Sequence, residues 1–260
     1  MKSGYREGIL RSASLMPNGA AFDGAVHIAG ENPGLGVGVH VSLVDERSVA
    51  PADRLDGLVD ENGVLPRSYR AFAKAFLTRR FGVVEVRTEV EAQVAKVLAA
   101  GISPTHIDFH QHVHMLPGVF EVALAVARSA GIRVIRIPYD RTRRSGPVAR
   151  RMQTRILLAF CLRNARRLAK TGIRPADHFH GLGQSGAMHE ANLLTTLDCL
   201  RPGVNEVMMH PGFSDSAMAA RYSWGYHWNE EHEALVSPRV QTEIADRHIR
   251  LANFAEAWPA

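Results

Sequence analysis

Apolar and polar positions along the chain change period repeatedly, and the changes predict alternating strands and helices. "SASLMP" (12–17) reads as a short strand stopped by Pro17-Asn18-Gly19, and "AAFDGAVHIAGENPG" as a helix ending at Asn-Pro-Gly. "LGVGVHVSLV" (35–44) alternates cleanly, with Leu35, Val37, Val39 and Val41 on one face and Gly36, Gly38, His40 and Ser42 on the other. An irregular stretch at 44–67 precedes two helical patterns, "SYRAFAKAFLTRRF" and "VVEVRTEVEAQVAKVLAAG". A histidine-rich strand follows, then a helix "GVFEVALAVARSAG" and a strand "IRVIRIP" (132–138). The C-terminal part predicts a helix over about 148–170 and a short strand "DHFHGL". A helix "MHEANLLTTLDCL", a strand "NEVMMH" and an aromatic loop "YSWGYHW" (222–228) come next. A helix near "PRVQTEIADRHI" and a final strand "RLANFAEAW" complete the order. Strands alternating with helices predict a parallel α/β fold, barrel or doubly wound, in one domain spanning 1–260.

Composition leaves that picture intact. With 260 residues the chain can bury a substantial core. No apolar run approaches the roughly 20 residues of a membrane span, and the N-terminus has no apolar signal-peptide region. Two cysteines, Cys161 and Cys199, point to a reducing cytoplasm rather than a disulfide framework. Charge adds one feature. Residues Arg141 to Arg174 hold ten Arg, one Lys and no acid, a net +11, whereas the whole chain carries +5, so the remainder is −6. A mildly acidic body with one basic segment is not the pattern of a nucleic-acid protein. Within the segment "RILLAFCLRNARRLAK" fits a core-facing helix with a solvated basic edge. It also fits peripheral contact with an anionic membrane, a phosphate-bearing substrate, or a homodimer contact.

Chemistry in parallel α/β folds sits at the C-terminal ends of strands. His40 lies late in its strand, His110 ends "THIDFH", His210 follows "NEVMM", and Arg136 lies near the end of "IRVIRIP". In "THIDFHQHVHML" (105–116), His106, Asp108, His110, His112 and His114 alternate, and Pro104 and Pro117-Gly118 leave too little room for a helix. The stretch therefore predicts a strand that ends near His110 and turns into a loop. Only the strand-end histidine reaches a central metal comfortably, and the others suit supporting or substrate-contact roles. Imidazoles with a carboxylate and open positions make the usual hydrolytic metal site. His40 and His110 are the candidate metal ligands, and Asp108 is either a carboxylate ligand or the group that orients a histidine. Tyr222, Trp224, Tyr226 and Trp228 offer faces for stacking on a sugar ring. The 44–67 stretch is placed to cover a substrate.

The order "GVGVHVSL", "PTHIDFHQHVHMLPGVF", "IRVIRIP", "NEVMMHPGF" resembles the YdjC-like carbohydrate deacetylases, also called the ChbG/HpnK family, over nearly the whole chain. The basic helix followed by "DHFHGLGQSGAMHEANLL" resembles the hopanoid-biosynthesis-associated branch. The resemblance implies a distorted (β/α) TIM-like barrel and one divalent metal ion, Mg or Zn. It implies hydrolysis of an N-acetyl group from an amino sugar, oligosaccharide or glycolipid. It assigns metal binding to His40 and His110 and catalysis to His210, as acid toward the leaving amine, with Asp108 supporting the site. Arg136, Phe213 and Trp224 are the expected substrate contacts. Members open with a strand ending in an Asp-Asp pair, one Asp a ligand and the other the base. This sequence opens inside the helix that should follow, so the barrel's first strand is expected to be missing. A start site placed downstream and genuine loss of the strand both account for that. The alternatives are a non-catalytic carbohydrate- or partner-binding relic of the fold, and a metal-dependent hydrolase of another bond such as a phosphoester.

Overall fold

The computed structural model describes residues 1–140, 148–213, 222 and 224–258, with side chains described outside 148–154. Part of the basic segment (141–147) and residue 223 of the aromatic run therefore lie outside the described residues. Two compact units are present. One comprises Met1–Arg11, Pro138–Leu158 and Ala176–Ala260, and the other Ser12–Ile137 and Ala159–Pro175.

In the second unit, β1 (Ser12–Leu15), β2 (Gly36–Val41) and β3 (Ile107–Phe109) form a parallel sheet in the order β1-β2-β3. Between them run α2 (Phe22–Gly30), α3 (Tyr69–Leu77) and α4 (Val83–Ala99), and α5 (Val119–Ser129) follows; α1 (Lys2–Arg6) precedes them in the first unit. The pairing is forced by burial on both faces of β2. Val37, Val39 and Val41 are buried as the alternation predicts, and so are Gly36, Gly38 and Ser42 on the other face. A strand covered on both faces fits the interior of a parallel sheet. Ser68 caps α3 by accepting from the amide of Ala71 at 3.3 Å. The apolar stripe Val86, Val90, Val94 and Val97 buries one face of α4. In the first unit, β4 (His178–His180) and β5 (Asn205–Val207) pair in parallel. Met188, Leu193, Leu197, Ala234, Val240 and Ile244 make its core, drawn from α7 (Glu190–Asp198), α8 (Trp228–Val236), α9 (Pro238–Asp246) and the loop before α7. The alternation of parallel strands and helices is the expected α/β class, and among the described residues the strands form one three-stranded and one two-stranded sheet.

Three elements differ from the sequence expectation. "IRVIRIP" is not a full strand: it makes single parallel bridges, Ile135 to Ile107 and Val134 to Arg174. The predicted final strand is α10 (Phe254–Ala257), a short helix. There the side chain of Asn253 accepts from the amide of Glu256 and the Glu256 carboxylate accepts from the amide of Asn253, a reciprocal cap that overrides the local alternation. The histidine strand ends at Phe109, and His110–Met115 is a 3-10 turn rather than open loop. The basic segment does form a helix, α6 (Val148–Leu168). Its Cys161, Asn164 and Leu168 are buried, so the described part faces the core. Arg163 donates to Glu121 at 3.2 Å and Arg167 also pairs with Glu121, which balances part of the basic edge.

Gly38 shows how tightly the sheet is built around its histidines. A Cβ there would lie 2.5 Å from Cε1 and Nε2 of His106, whose ring is held by Ser14 and Thr105. Gly38→Ala should therefore cost about 2 kcal/mol or more in unfolding free energy, the range of an overpacked core. A urea midpoint equal to that of the parent protein would show that the ring is not fixed.

Candidate functional site

The second unit gathers four of the predicted site residues at the C-terminal ends of β2 and β3. The register sets His40 beside Asp108. His40 Nδ1 lies 3.2 Å from Asp108 Oδ1, and its Nε2 lies 3.3 Å from Nδ1 of His110, the first residue beyond β3. The two rings meet edge to face at 5.5 Å. Asp108 is 1% exposed, and the Arg136 guanidinium donates to its Oδ2. Burial alone would raise the Asp108 carboxyl; the Arg136 guanidinium, with the facing His40 ring beside it, outweighs burial and holds the group well below the ordinary carboxylate range. Arg136, expected at the substrate, is thus engaged by Asp108, and its side chain is only 12% exposed.

The remaining histidines of the motif support this group. His106 is buried, with Nε2 2.9 Å from Ser14 Oγ and Nδ1 2.9 Å from Thr105 Oγ1. His114 is buried, stacks on Phe109 at 4.6 Å, and its Nε2–H donates to the carbonyl of Arg136 at 2.8 Å. The turn between His110 and His114 is unusual. Gln111 (φ 50°, ψ 20°) and His112 (φ 54°, ψ 28°) are both left-handed without being glycine. Such residues cost about 1–2 kcal/mol each and persist where the surroundings over-determine them.

The first unit holds the other three. The backbone amide of His210 donates to Glu231, a fully buried carboxylate on α8 that also accepts from the amide of Met188 at 3.1 Å. Tyr226 packs against the His210 ring at 5.0 Å, and its hydroxyl lies 2.9 Å from Ser185 Oγ. Trp224, 38% exposed, lies between Tyr222 at 4.4 Å and Tyr226 at 5.4 Å. Phe213 is 71% exposed and touches only the His232 ring among described rings, at 4.5 Å.

The family model described as YdjC-like protein matches residues 1–246. The chain belongs to the YdjC-like family. Among its relatives is a carbohydrate deacetylase of Geobacillus stearothermophilus, 30% identical over 98% of this chain and 89% of that protein. The human carbohydrate deacetylase is 29% identical over 95% of this chain and 82% of its own length. A chitooligosaccharide deacetylase of Yersinia pestis is 28% identical over 97% and 90%. A crystal structure from Enterococcus faecalis, named as a candidate cellobiose-phosphate cleavage protein, has the same fold. It matches at a TM-score of 0.74 and 24% identity, covering 97% of this chain and 90% of that one.

This YdjC-like chain also carries site residues that the sequence reading did not pick out. Gln93 accepts from the amide of Ser42 at 2.9 Å and donates to its carbonyl at 2.6 Å, fixing the backbone two residues beyond His40. Glu89, one turn earlier on α4, accepts from Gln93 and from the amides of Val49 and Ala50. The signal was present: two polar residues four apart on a stripe of buried valines. For Ser14 and Glu231 the sequence holds no comparable signal.

Burial depresses His106 to about 3 and His114 to about 4. Below about pH 6.5 the unfolded chain binds protons at these two sites and the native state does not, so stability falls as pH drops. Each group contributes a slope of about 1.4 kcal/mol per pH unit down to its folded value. Glu89, raised by burial, acts with the opposite sign. Urea unfolding at pH 7.5 and 5.0 should show a clear loss at the lower pH, and His106→Gln should remove one group's share. An unchanged slope in that variant would contradict a neutral, buried His106.

Proposed function

We propose that this protein is a metal-dependent hydrolase that removes the N-acetyl group from an amino sugar, oligosaccharide or glycolipid. The observation that carries the reading is the apposition of His40 and His110 over an ionised, buried Asp108. Two nitrogens bound to one ion at about 2.1 Å and a tetrahedral angle lie about 3.4 Å apart. His40 Nε2 and His110 Nδ1 are 3.3 Å apart, so the pair fits a tetrahedral divalent ion such as zinc more closely than octahedral magnesium. The family membership and the printed names of its relatives support the acetylated carbohydrate as substrate. In this reading the strands belong to a distorted (β/α) barrel.

When bound, the ion supplies Lewis acidity toward the acetyl carbonyl. The protein's own residues prepare the rest. The Asp108 carboxylate faces His40 Nδ1 at 3.2 Å, and its charge favours the tautomer protonated there, which leaves the Nε2 lone pair facing His110. Arg136 keeps Asp108 charged. His210, seated by Glu231 and Tyr226, protonates the leaving amine. Trp224 and Phe213 present apolar faces to the sugar ring. A second reading, a carbohydrate-binding relic without turnover, is favoured by one observation. Among the described residues no group of three His, Cys, Asp or Glu side chains forms a metal cluster.

Acetate release from N-acetylated chito-oligosaccharides, with and without chelation, separates the two. Chelation should abolish release and added zinc or magnesium should restore it. His110→Ala should lower kcat/KM by about 100-fold, and Asp108→Asn should weaken metal binding by about 10–100-fold. Sugar binding without acetate release, by a protein that takes up no divalent ion, would establish the relic.

A further inference from the structure

We infer that Gln111 is a positioning residue, whose side chain holds a strained turn so that His110 faces His40; this rests on the reading of those two histidines as metal ligands. β3 ends at Phe109 in extended backbone (φ −132°, ψ 138°), and the chain passes into the His110–Met115 turn. Within it Gln111 and His112 lie in the left-handed region, which glycine adopts without penalty. Neither residue is glycine, and the Gln111 side chain is tied down.

Each end of the turn is anchored within the same unit. The Gln111 side-chain oxygen accepts from the amide of Tyr69 at 2.8 Å. That amide opens α3, so the bond ties the turn to a helix that begins where the 44–67 stretch ends. On the far side, His114 stacks on Phe109 and donates to the Arg136 carbonyl, and Asn164 donates to the carbonyl of Met115 at 3.1 Å. The downstream anchors fix Val113 to Met115 to the core. The bond to Tyr69 holds the turn one residue beyond His110, upstream of those anchors. Releasing it frees the left-handed pair to relax toward ordinary backbone, and a relaxed turn rotates the His110 ring away from His40 Nε2.

Two variants separate strain from tether. Gln111→Ala loses the bond to Tyr69 and keeps a side chain in the left-handed position. Gln111→Gly loses the same bond and removes the conformational penalty. The metal-free Gly variant should therefore melt at a higher temperature than the Ala variant, the reverse of the usual order, because glycine for alanine normally destabilises. Both variants should bind zinc about tenfold more weakly than the parent, as measured by titration calorimetry, the lower end of what loss of a supporting contact costs a metal site. Equal melting of the two variants, or the usual order, overturns the strain. Parent-like zinc affinity in both overturns the positioning role. A parent protein that binds no zinc overturns the inference together with the metal reading. Weakened zinc binding in variants of a protein that releases no acetate supports the inference while removing the deacetylase reading.

Discussion

A buried carboxylate sits at the centre of this structure. Asp108 is almost wholly removed from solvent, which opposes its ionisation, and Arg136 and His40 reverse that balance. Removing one member of such a group leaves an uncompensated charge in the interior, a loss of about 3–5 kcal/mol. The arrangement therefore constrains everything next to it. β2 and β3 must pair in the register that sets His40 against Asp108, because a slip of one residue would leave the two side chains on opposite faces. The segment carrying Arg136 must approach β3 through the Ile107–Ile135 bridge.

The neighbouring histidines serve this constraint in different ways. His106 crosses the space above Gly38 to reach Ser14, so one ring links β3 to β1 past the strand between them. His114 fixes the carbonyl of Arg136 and hence the backbone that presents the guanidinium. Gln93 and Glu89 hold the chain just beyond His40. One motif of five alternating polar residues thus sets Asp108 against His40, His110 at the strand end, and the buried His106 and His114 in hydrogen bonds within the fold. Neutral, buried rings suit supports, since each carries one donor and one acceptor and no charge to solvate.

Much of this was legible in the chain. β1, β2 and the helices α2 to α5 follow their periods because their packing agrees with their local pattern. The placement of His40 and His110 at strand ends follows from the strand-end rule, and the structure sets Asp108 beside His40. What escaped depends on contacts distant in sequence. The pairing of "IRVIRIP" is decided by single residues on Ile107 and Arg174, not by its own alternation. The helix Phe254–Ala257 is decided by a side-chain cap between Asn253 and Glu256. The left-handed backbone of Gln111 carries no sequence signal, since glutamine is not among the residues that favour it.

Asp108, 3.2 Å from His40 Nδ1, favours the tautomer protonated there, and that tautomer turns the Nε2 lone pair toward His110. Long-range proton–nitrogen correlation NMR of nitrogen-15-labelled histidine, in the metal-free protein at neutral pH, reads that tautomer directly. His40 is expected to carry its proton at Nδ1, the nitrogen that faces Asp108. A His40 ring protonated at Nε2 instead would contradict it.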